Sequence, residues 1–64
     1  MTIYENVKKL CDEQGISIYE LEMKAKVGNG IVGKWRESKP NIASLEAVAK
    51  ALGVQLGELL KESA

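Results

Sequence analysis

The chain has 64 residues, nine basic and nine acidic side chains, one cysteine and no histidine, a length that predicts a single domain spanning 1–64 with one small core. Without histidine there is no Ser–His or Cys–His nucleophile pair and no zinc set, so neither an enzyme nor a metal or cofactor site is expected. Cys11, alone, excludes a disulfide and suits a reducing compartment; no run approaches the roughly 18 apolar residues of a membrane span and no apolar signal segment is present, so a cytoplasmic protein is expected.

The first predicted helix opens at "TIYE", where Thr2 and Glu5 stand at capping-box spacing. Ile3, Val7, Leu10 and Cys11 then recur at helical intervals, and Gly15 followed by Ile16 reads as a left-handed stop with an apolar contact. Cys11 reads as a small buried side chain. "SIYE" repeats the device with Ser17 and Glu20 and starts a second helix, with Leu21 and Ala25 inward and an end by about Val27. The turn that follows, Lys26 to Gly28, is short enough to make a helix-turn-helix unit with the next helix.

That third helix is predicted from about Asn29 to Arg36, capped by Gly28 or Asn29, with Val32 and Trp35 in the core. Its glycines are unusual, since each glycine inside a helix costs about 1 kcal/mol relative to alanine. Pro40 forces "ESKPN" into a loop. Asn41 caps a fourth helix with a full apolar stripe of Ile42, Leu45, Val48, Ala49 and Leu52, closed by Gly53-Val54. A short fifth helix carries Leu56, Leu59 and Leu60 behind a poor cap, Gln55. These leucines pack on the fourth helix, or in part form a weak two-fold homodimer contact.

Charge is unevenly spread although it totals zero. Residues 24–39 hold Lys24, Lys26, Lys34, Arg36 and Lys39 against Glu37 alone, a net of +4, whereas residues 1–23 net −3 and residues 40–64 net −1. A local basic face is what neutralises phosphates. The acidic residues are scattered over polar helix faces and are expected to be solvated.

"GISIYELEMKA", "VGNGIVGKW" and "KPNIASLEAVAKALGV" followed by "LGELL" resemble, in order and spacing, the lambda repressor-like (Cro/cI-type, XRE) helix-turn-helix domains, from about Val7 to Leu60. The resemblance implies an all-α, compact five-helix fold that binds double-stranded DNA, often as a dimer, with the second motif helix in the major groove. By position it implies base contacts from Asn29, Gly30, Ile31 and Lys34. It implies phosphate contacts from Ser17, Tyr19, Arg36, Ser38, Lys39 and Asn41, and from the amino end of the second helix.

Three positions depart from the family pattern. Lys26 stands where a left-handed glycine is usual, so the turn is expected to be strained or differently built. Gly28 replaces the usual serine or threonine cap and Gly33 a common serine. With Gly30 and Gly33 outward, few side chains remain to discriminate bases, and modest specificity is expected from Asn29, Lys34 and DNA shape. A small transcriptional repressor of phage or mobile-element type is the leading expectation. The alternative is a protein-interaction module on the same fold (antitoxin, anti-repressor or scaffold) with little DNA affinity. No small-molecule substrate is evident.

Overall fold

Three helices of this chain begin where a short polar side chain precedes an apolar run. In the computed structural model, which describes residues 2–61, α1 (Ile3–Gln14) starts at Thr2, α2 (Ile18–Ala25) at Ser17 and α4 (Ile42–Leu52) at Asn41. Thr2 Oγ1 accepts the Glu5 N–H while Glu5 Oε1 accepts the Thr2 N–H, and Ser17 and Glu20 repeat the exchange. Asn41 Oδ1 accepts the Ser44 N–H at 2.7 Å. Each cap satisfies donors that the first helical turn leaves unpaired and contributes ~1 kcal/mol.

Helix α1 and helix α4 also close as expected. Gly15 and Gly53 are left-handed, and the N–H groups of Ile16 and Val54 reach back to the carbonyls of Cys11 and Ala49. The end of α2 differs. Lys26 takes φ 60° and ψ 34°, and no other non-glycine among the described residues has positive φ. A Cβ in that region crowds the backbone at a cost of roughly 1 kcal/mol. The turn therefore keeps the left-handed shape that glycine would give, and lysine makes it strained.

The third helix is shorter than the sequence suggests. Helix α3 spans Ile31–Lys34, not Asn29–Arg36, and its N-cap is Gly30 at φ 87°, neither Gly28 nor Asn29. Residues 28–30 are needed to turn the chain from α2, and a left-handed Gly30 cannot be helical. Helix α5 spans Leu56–Leu60 and, as its weak start implies, Gln55 gives it no side-chain cap.

Within the described residues the fold is all-helical, with α4 packed on α2 and α5, α1 on α5 and α2, and α3 on α2. Val7, Cys11, Leu21, Val32, Trp35, Leu45, Val48, Ala49, Leu52 and Leu59 form one buried cluster. Ile42 is a correction, being 58 % exposed: the buried row of α4 begins only at Leu45, one turn in from the loop. Burial pushes the Cys11 thiol above its ordinary pKa, with Asp12 adding to the effect. Helix α1 also acts as a strap. Gln14 Nε2 donates to the Leu52 carbonyl at 2.7 Å, and Asn6 Nδ2 donates to the carbonyls of Leu59 and Lys61. These side-chain amides satisfy carbonyls at the carboxyl ends of α4 and α5 that have no intrahelical partner. No helix among the described residues is long and apolar enough to cross a membrane.

Candidate nucleic-acid interface

A helix of four residues has almost no stability of its own, since helix nucleation is costly and even 12-residue helices are marginal in water. Helix α3 is held from outside by two means. Val32 is fully buried and Trp35 nearly so, which fixes its inner side on the core. Its amino end is fixed by Glu22 of α2, whose Oε1 accepts the Gly30 N–H at 3.1 Å and whose Oε2 accepts the Val32 N–H at 2.9 Å.

Glu22 is only 3 % exposed, which overturns the expectation that every acidic side chain is solvated. Burying a carboxylate is costly unless hydrogen bonds satisfy it, and the two N–H groups do so. Gly30 has no side chain to cap α3, so the carboxylate of the preceding helix supplies the cap. A signal for this was present in the sequence. Ile18, Leu21 and Ala25 mark the inward row of α2 at i, i+3 and i+7, and Glu22 fills the i+4 position of that row.

A shallow cleft of about 150 Å³ between α3, the following loop and the start of α4 brings together Ile31, Lys34, Ser38, Lys39 and Asn41. Asn29 and Gly30 are exposed on the turn just before α3, outside the cleft lining. Ile31 is half-buried, and its side chain lies 3.1 Å from where a Cβ on Gly28 would be, so a larger residue at Gly28 would push on it. Gly33 has open space where its Cβ would point. Tyr19 on α2, 57 % exposed, and the exposed Ser17 that caps α2 are outside the cleft lining.

Polar capacity differs among the predicted phosphate-contacting residues. Ser17 and Asn41 accept cap bonds, which leaves the Ser17 O–H and the Asn41 NH₂ free to donate. The Ser38 hydroxyl donates to the Lys34 carbonyl at 3.1 Å and would have to release it to donate elsewhere. Arg36 lies with its guanidinium 5.3 Å from the centre of the Tyr4 ring and donates through Nε to the Gly33 carbonyl. That stacking ties the end of α3 to α1.

Apart from Arg36, the basic charge of residues 24–39 divides between two places. Lys34 and Lys39 line the cleft, whereas Lys24 and Lys26 line a separate groove between α2 and α4, together with Lys50 and the small side chains of Ala25, Ala47 and Ala51. Within the described residues the ion pairs are Lys8–Asp12 and Lys61–Glu58, so none of the cations of residues 24–39 is paired with a carboxylate. A cation without an internal partner keeps its full charge for an external anion.

Two helices joined by a tight turn, the second short and presented beside unpaired cations, are the arrangement of a helix-turn-helix DNA-binding domain. The chain belongs to the Cro/C1-type HTH DNA-binding domain family, whose profile matches residues 6–63. No curated protein matches it.

Proposed function

We propose that this domain is a sequence-specific regulator of transcription, a repressor of phage or mobile-element type, that lays α3 in the major groove of its operator. The observation that carries this reading is the exposed edge from Asn29 through Lys34 to Lys39 and Asn41, whose cations have no carboxylate partner among the described residues. Asn29, Gly30, Ile31 and Lys34 face base edges in this reading. Asparagine suits adenine, lysine suits guanine, and Ile31 suits a thymine methyl. Ser17, Tyr19, Lys39 and Asn41 take phosphates, with Arg36 and Ser38 joining them on release from Tyr4 and the Lys34 carbonyl. Leu60, the outward leucine of α5 at 47 % exposure, is the centre of a weak two-fold contact between copies.

A salt titration tests the reading. Affinity for the preferred duplex should fall with a log–log slope of about −0.9 for each phosphate neutralised. Reversal of Lys34, Arg36 and Lys39 to Glu should abolish binding and leave the helical circular dichroism intact. Unchanged affinity would remove this edge from the interface.

A second reading is favoured by one feature, the lysine-lined groove between α2 and α4, which is separate from the cleft. On this view the domain docks an acidic protein and holds DNA weakly. A shallow salt dependence on every duplex, with binding lost on reversal of Lys24 and Lys50 alone, would favour it.

A further inference from the structure

We infer that Glu22 is a positioning residue for base reading: it decides how well the domain discriminates between sequences without touching DNA. The inference rests on the reading of α3 as the helix that enters the groove.

An amino-terminal helical turn normally offers its free N–H groups to anions, and phosphate is the common recipient. Here the Gly30 and Val32 N–H groups already point at the Glu22 carboxylate, 3.1 and 2.9 Å away. The Ile31 N–H is taken by the Gly28 carbonyl. The amino end of α3 thus has no free N–H to give to a phosphate from these three positions. Contact there falls to the side chains of Asn29 and Ile31, which stand beside the clamped amides and report base identity.

Charge points the same way. Glu22 is buried behind the surface offered to DNA, and its hydrogen-bond partners are backbone amides, with no cation within ion-pairing distance among the described residues. Its negative charge opposes every duplex equally, so it lowers sequence-independent attraction. Its bonds fix one orientation of Gly30 and Val32, so they favour the duplex whose bases fit that orientation. Glu22 therefore weakens non-specific binding while it strengthens discrimination.

Glu22→Gln separates these effects. Glutamine keeps the size of the side chain, removes the charge, and sets an NH₂ against one of the two N–H groups. The duplex preferred by the wild type would be selected from random sequences and compared with a scrambled duplex of equal composition. Affinities are corrected for the folded fraction read from Trp35 fluorescence. The expected result is a specificity ratio about tenfold lower, the size of losing one charge-assisted hydrogen bond, with scrambled-duplex affinity tighter.

Equal loss on both duplexes would reduce Glu22 to a structural residue and overturn the inference, as would an unchanged ratio. A wild type that binds no duplex would instead overturn the DNA reading itself. Should Glu22→Gln fail to fold, an amide-to-ester replacement at Val32, made by chemical synthesis, deletes the Val32 donor and keeps the charge. It should lower the ratio with scrambled-duplex affinity unchanged, and an unchanged ratio there overturns the inference equally.

Discussion

Helix α4 and helix α3 both put apolar side chains into the same core, yet they are made helical by different means. Helix α4 carries its instructions within its own eleven residues and their flanks: Asn41 caps it, Gly53 stops it, and four of its side chains are buried. Helix α3 has four residues, an N-cap without a side chain, and an internal glycine. Its helicity is supplied by Glu22 and by the burial of Val32 and Trp35. The difference shows how a small domain can vary the residues it offers to a partner. When a helix is held from behind, its outward positions need not be good helix formers, and even Gly33 is tolerated.

Core truncation gives the largest effect and tests whether the two helices belong to one cooperative unit. Leu52→Ala in α4 should cost about 2–5 kcal/mol. Val32→Ala in α3 should cost roughly 1.5–3 kcal/mol, less because fewer carbon atoms are removed. Both would be read from urea denaturation followed by Trp35 fluorescence. A cost near zero for Val32→Ala would mean that α3 is not fixed to the core and that the two helices do not share one cooperative unit.

Caps provide the next test. Asn41→Ala should lose about 1 kcal/mol, because its carbonyl oxygen accepts the Ser44 N–H. Asn29→Ala should stay within about 0.5 kcal/mol, because no side-chain hydrogen bond ties Asn29 to α3. An equal loss at both would return Asn29 to the capping role that the sequence suggested for it.

This contrast also explains what was legible in the sequence. Helices α1, α2 and α4 announce themselves, since Thr2, Ser17 and Asn41 act on amides three residues away and Gly15 and Gly53 act on the preceding turn. The inward direction of Val32 and Trp35 could be read from their spacing. The limits of α3 could not, because its cap comes from a residue eight to ten positions earlier, on another helix. Burial of Glu22 was missed for the same reason: acidic side chains are usually solvated, and the amides that satisfy it come from the turn and first residues of α3. The sequence located the basic segment but could not show its division between cleft and groove, which depends on how α4 lies against α2 and α3.

Gly33→Ala tests the freedom of the outward face. Open space surrounds the added methyl and the backbone is not left-handed, so the folded state should gain up to ~1 kcal/mol from helix propensity and reduced chain entropy. Duplex affinity should fall at the same time if DNA lies against this backbone. Greater stability with undiminished affinity would show that the glycine serves no close approach.

The smallest effect is expected at the amino end of α1, the self-contained extreme of the comparison. Glu5 is held below its ordinary pKa by the Thr2 backbone N–H that its carboxylate accepts, with the Thr2 side chain contributing next. A carboxylate whose pKa is lowered on folding adds stability that is fully present above its unfolded pKa and is lost as pH falls through the lowered folded value. Glu5 is fully exposed, so the contribution is small. Glu5→Gln should therefore show a slightly shallower loss of urea midpoint than the wild type between about pH 5 and pH 3, with the two midpoints closest at the acid end. Parallel curves over that range would show that the α1 capping box works through the neutral hydroxyl of Thr2 alone, and that its carboxylate adds nothing comparable to what Glu22 does for α3.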